Sequence, residues 1–118
     1  MKILITLALL LLPFSSFAKE ATTSEIIDLI VSQGTMLGID VDRAVNIFQC
    51  ESGLDSKAHN KRENSRGLAQ IHARSWPWIT DKMAFDPYFS VAWSLNMMAE
   101  GRWGLWSCNR IINAKRVI

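Results

Sequence analysis

The chain has few of the residues from which several common kinds of site are built. It holds two cysteines, two histidines and one tyrosine in 118 residues. Two cysteines and two histidines make no convincing tetrahedral ligand set, so neither a metal nor another cofactor is expected. The formal net charge is only +2 and the basic residues are spread out, which argues against nucleic acid as a partner. No apolar run reaches the roughly 20 residues that a membrane-crossing helix needs. No internal repeat or low-complexity segment is visible.

The longest apolar run, Ile3 to Leu12, is broken only by Thr6. Lys2 precedes it, Pro13 and two serines follow, and Ser16-Phe17-Ala18 carries small residues at both ends. That order reads as a secretory signal peptide over residues 1–18, and the run is short for the alternative, a membrane anchor. Removal would leave 19–118 as a single small domain, exported to the periplasm or outside, with no stable membrane span. At this size folding buries roughly 60–70% of the unfolded surface, so the core is thin. In an exported protein an even cysteine count favours a disulfide, here Cys50 to Cys108, over two buried thiols. Closing so long a loop contributes about 4 kcal/mol in the chain-entropy model.

Local signals predict mostly helix. Thr22 with Glu25 fits a capping box, and Ile26, Ile27, Ile30 and Val31 mark one helix face. Gly34 and Gly38 suggest where that helix frays. Asp40 suits the next N-cap, Asp42 the first turn and Gly53 the terminator. Residues 54–64 form a polar connection, long enough for a compact domain to be functional or mobile. Its Lys57, Lys61 and Arg62, with Arg66, read as a solvated face rather than a site for an anionic polymer. Arg66 to Ala73 is expected to be a short strand or hairpin arm, with Gly67 at its turn. Trp76-Pro77-Trp78 interrupts regular structure. Asp86-Pro87 starts a helix that buries Val91, Leu95 and Met98 and ends at Gly101. The tail from Trp103 carries Trp106, Cys108 and Ile111-Ile112 and should pack back as a final helix.

Glu51 stands out within this plan. It follows Ala44 by seven residues, Ile47 by four and Phe48 by three, so all four share a helix face. Burial on that face should raise its pKa, and so should the negative end of the helix dipole in the last turn. Both effects favour a protonated carboxyl near neutral pH, as a general acid requires. Periodicity alone fits a glutamate at a frayed helix end equally. The polar loop and glycine-led segment behind it favour the functional reading.

The residues around Glu51 also form a recognisable pattern. Glu51-Ser52-Gly53-Leu54, then Ala58 and Asn60, then Ser65-Arg66-Gly67-Leu68-Ala69-Gln70-Ile71 resembles the soluble lytic transglycosylase family. Ala69 stands where that family commonly has Met, and Asp86-Pro87 matches the start of its next long helix. The resemblance spans roughly Asp40 to Glu100 and implies a mainly α, lysozyme-like α+β domain with a minimal hairpin. It implies cleavage of the β-1,4 bond between N-acetylmuramic acid and N-acetylglucosamine in peptidoglycan strands. Glu51 would be acid and then base, and the product would carry a 1,6-anhydro ring. Ser65 and Gln70 would line the cleft, and Gly67 would let the backbone approach the sugar or Glu51. The family's late tyrosine, which contacts the acid, is missing, and Trp106 is the candidate for its place. The setting stays open between wall remodelling, attack on rivals and the passage of a secretion or conjugation apparatus, which in that case is the candidate partner.

Two other readings stay open: a lysozyme-type hydrolase and a non-catalytic glycan-binding protein. A hydrolase needs a second carboxylate, for which Asp55, Asp81 and Asp86 are available, Asp86 more simply as a cap. Trp76, Trp78, Trp93, Trp103 and Trp106 could stack on sugars but are expected in the core. His72 is expected to be satisfied by local hydrogen bonds, and Ser65 has no His/Asp set behind it.

Overall fold

The computed structural model describes residues 20–116. The expected signal peptide, 1–18, lies outside the described residues. Helix α1 is Thr23–Leu37 and α2 is Val41–Ser52. Three two-residue strands follow: β1 His59–Asn60, β2 Ser65–Arg66 and β3 Ile71–His72. Then come a short α3, Asp81–Ala84, the long α4, Pro87–Ala99, a 3-10 turn over Trp103–Leu105, and α5, Ser107–Arg116. The domain is small and mainly helical, with one three-stranded antiparallel sheet in the order β1-β2-β3.

The caps explain the helix limits. Thr22 Oγ1 accepts from the Glu25 N–H at 3.1 Å, and Glu25 Oε1 accepts from the Thr22 N–H at 3.3 Å. This reciprocal box satisfies two orphan donors of the first turn. Asp40 caps α2 through the Arg43 N–H at 3.0 Å, and Asp86 caps α4 with Pro87 behind it. Gly53, at φ 64°, ends α2 in the left-handed conformation that glycine adopts without steric cost. Gly34 does not fray α1. It is buried inside the helix, where a Cβ would come within 3.1 Å of Val41 Cγ2. Its smallness lets the chain fold back closely from α1 into α2.

Helix α1 packs on α2 and α4, and α2 packs on α5. Ile26 and Ile30 of α1, Ile47 and Phe48 of α2, and Val91, Leu95 and Met98 of α4 meet in the core. Full burial of a side chain of this size contributes about 1.5–3 kcal/mol, so a few of them hold α2 in place. No described helix is long and apolar enough to cross a membrane.

Arg66 overturns its expected place on a solvated face. It is only 2% exposed. Its Nε donates to the Ile71 carbonyl at 3.2 Å, and Nη1 to the Ile79 carbonyl and Asp81 Oδ1, both at 2.9 Å. One guanidinium thus ties β2, β3 and the start of α3 together.

Candidate active site

The sheet register explains which residues meet. Asn60 pairs with Ser65, and Ser65 pairs with His72. Side chains alternate along a strand, so this row faces one way and the row His59, Arg66 and Ile71 faces the other. Asn60, Ser65 and His72 all line a cleft of about 480 Å³. Glu63, in the turn between β1 and β2, lines it too, with Gln70 beside β3. Glu51 enters from the end of α2, and Leu105, Trp106 and Ser107 close the third side.

Glu51 is held where α2 meets the tail. The Cys108 N–H donates to its Oε2 at 3.1 Å, and the Ser107 side chain is a second hydrogen-bond partner. Burial raises the pKa of this carboxyl; the bonds from Cys108 and Ser107 pull it back, and the charge of Glu63 raises it further. The largest of these influences is the loss of water around the carboxyl, so the net direction is up. The cleft therefore holds an acid that keeps its proton to a higher pH than a free glutamate.

Several contacts fix that geometry. Cys50, next to Glu51, is bridged to Cys108 with the Cα atoms 6.0 Å apart. Arg43 of α2 donates from Nε and Nη2 to Asn109 Oδ1 at 3.0 and 2.6 Å. Its guanidinium also lies 4.1 Å from the centre of the Trp103 ring. On the other side, the Ser52 hydroxyl reaches the Leu68 carbonyl at 2.7 Å, joining the end of α2 to the turn after β2.

Ser65, Gln70 and Trp106 line the cleft with Glu51. Gln70 Nε2 donates to the Ala58 and Gly67 carbonyls at 3.1 and 2.9 Å, so it braces the loop as well as facing the cleft. Gly67 is placed differently. It is buried at φ 75°, and a Cβ there would collide with the Ala84 carbonyl oxygen. Its close approach is to α3, not to the cleft or Glu51. Trp106 does not take the expected place of a tyrosine on the acid either. Its Nε1 donates to the Ala69 carbonyl at 3.0 Å. The donors on Glu51 come from the next two residues, Ser107 and Cys108.

A smaller hollow of about 200 Å³ adjoins the cleft and shares Gln70, His72, Leu105 and Trp106 with it. Trp76 and Trp93 line it, their rings in edge-to-face contact at 5.0 Å. These tryptophans are neither purely core nor purely surface. Trp78 departs from the expected core placement, at 56% exposed.

The three aspartates considered as second carboxylates lie outside the cleft lining. Asp55 accepts from the Lys57 N–H, Asp81 pairs with Arg66, and Asp86 caps α4. Sequence reasoning missed Glu63 and Ser107, and it named Asn60 in the motif without a role in the cleft. Their polar types were visible, but the strand pairing that brings Asn60 and Glu63 to Glu51 leaves no periodic signal in two-residue strands.

The chain matches no protein-family model, no curated protein and no solved structure. What the site can do therefore follows from its residues and from the motif around Glu51. Among the described residues, no three His, Cys, Asp or Glu side chains gather where they could hold a metal ion.

Proposed function

We propose that the protein is a lytic transglycosylase that cleaves the β-1,4 bond between N-acetylmuramic acid and N-acetylglucosamine in peptidoglycan. One observation carries this reading. Glu51, half-buried and raised in pKa, faces a polar cleft lined by the Ser65 and Gln70 of its own motif. Glu51 gives its proton to the glycosidic oxygen as the bond to the anomeric carbon breaks, and the bond electrons leave with that oxygen. The carboxylate so formed takes the proton of the muramyl 6-hydroxyl, whose oxygen closes on the anomeric carbon. Glu51 ends protonated, the product carries a 1,6-anhydro ring, and no water is consumed. Donors from Cys108 and Ser107 fit the step in which Glu51 is an anion. The disulfide is in keeping with an oxidising compartment, and hence with export toward the wall.

A lysozyme-type hydrolase is the second reading, and Glu63 favours it as a carboxylate in the same cleft. Both readings require Glu51. Purified peptidoglycan digested by the wild-type protein should release muropeptides, and Glu51→Gln should slow this by about 10²–10⁴-fold. Activity of the variant within about tenfold of wild type, with unchanged circular dichroism, would remove Glu51 from the mechanism.

A further inference from the structure

We infer that Glu63 is a second catalytic carboxylate, which stabilises the positive charge that develops on the anomeric carbon and ring oxygen as Glu51 protonates the leaving group, and that His72 positions it. The inference rests on the glycan-cleaving reading of the cleft and adds a residue to it.

An exposed glutamate on a turn is ordinarily a solvated charge and nothing more. Three observations set Glu63 apart. It lines the same cleft as Glu51. Its turn is tied down: the Ala73 N–H donates to the Asn64 carbonyl, and Asn64 Oδ1 meets His59 Nε2, both at 3.1 Å. Its Oε2 lies 3.7 Å from Nε2 of His72, a residue that the sheet register also aims into the cleft. A side chain free to wander in solvent has no such partner beside the acid.

The two carboxyls also sit in opposite environments. Glu51 is half-buried, and loss of water favours its neutral form. Glu63 is mostly open to water, its side chain 59% exposed, and its negative charge is felt at Glu51. Such a division gives one group that donates a proton and another that faces positive charge as an anion. Bond breaking in a glycoside builds positive charge at the sugar ring whichever nucleophile follows. Glu63 can therefore assist transglycosylation without bonding to the sugar or activating water.

The test is steady-state cleavage of a soluble peptidoglycan strand by the full exported chain, its disulfide intact. Glu63→Gln should lower kcat by about 10²–10³-fold, the scale for losing one stabiliser of transition-state charge, with KM little changed. His72→Gln should lower kcat less, and should add nothing in a Glu63→Gln background, because it acts through Glu63. Glu63 and His72 are the titratable groups that line the cleft with Glu51. In Glu63→Gln the basic limb of kcat/KM, set by Glu51, should move to lower pH, since a charge that raises its pKa is gone. Cleavage by wild type with Glu63→Gln within about threefold in kcat overturns this inference alone. So does a loss confined to KM. No cleavage by wild type overturns the glycan-cleaving reading, and this inference with it.

Discussion

The wall of the cleft that carries Glu51 is braced by a covalent bond and by contacts between distant parts of the chain. The wall that carries Glu63 hangs on three strands of two residues each. On the first wall, α2 has the Cys50–Cys108 bridge, the Arg43–Asn109 bonds and the buried Ile47 and Phe48 behind it. On the second, Arg66 joins the buried Leu68, Ile71 and Ile79, reaching two carbonyls and Asp81 with one side chain. The difference matches the chemistry proposed for each wall. A carboxyl raised in pKa by burial must be kept buried at a fixed depth, whereas a solvated anion tolerates a looser mount.

The comparison can be broken first at the braced wall. Replacing Cys50 and Cys108 by serine should cost about 4 kcal/mol in urea unfolding, since the bridge closes most of the domain into one loop. Cleavage should fall as well, because the bridge holds in place the residue 108 backbone N–H that donates to Glu51. A loss below about 1 kcal/mol would mean that the helical contacts alone brace this wall. On the sheet wall, Arg66→Met keeps an apolar stem but removes the donors to Ile71, Ile79 and Asp81. The expected cost is about 1–3 kcal/mol, and amide exchange should quicken at β2 and β3 before α2. Uniform quickening across the domain would show that the two walls unfold as one.

Smaller changes sharpen the comparison. Ser52→Ala removes the bond to the Leu68 carbonyl that links the walls, at about 1 kcal/mol. A double-mutant cycle with Arg66→Met should then depart from additivity if the link is real. The smallest effect is that of Glu51→Gln on stability. The folded state raises the pKa of Glu51, so ionisation there costs stability. Below the ordinary carboxylate range Glu51 is protonated both folded and unfolded, and wild type and variant should differ least. As pH rises through the folded pKa the wild type alone bears the cost, so the variant should gain in relative melting temperature. A variant that loses ground as pH rises would contradict the raised pKa.

The helical half of the fold was legible because its signals are local. The Thr22 box, Asp40, Gly53 and Asp86-Pro87 each act within one turn, and Val91, Leu95 and Met98 follow the helical period. The cysteine pair was legible from count and expected compartment. The hairpin arm from Arg66 with Gly67 at its turn was legible too, but which sheet residue faces the cleft was not, because that lies in register. Ser65 and Arg66 are adjacent and both buried, yet the cleft receives one and the interior the other. Gly67 carried a motif role toward the sugar, and its actual constraint is the Ala84 carbonyl, 17 positions further along the chain. His72 was expected to be satisfied locally, and its neighbour is the Glu63 carboxylate in the turn that leads into β2.

The central claim is that Glu51 serves an internal nucleophile rather than water. Digestion of peptidoglycan in ¹⁸O-water, with prompt weighing of the muropeptides, tests it directly. Transglycosylation predicts 1,6-anhydro products that lack the mass of one water and carry no label from the first time points. Reducing-end products with one ¹⁸O at the anomeric carbon from the outset would contradict it and make the protein a hydrolase, with Glu63 as the carboxylate to examine for activation of water.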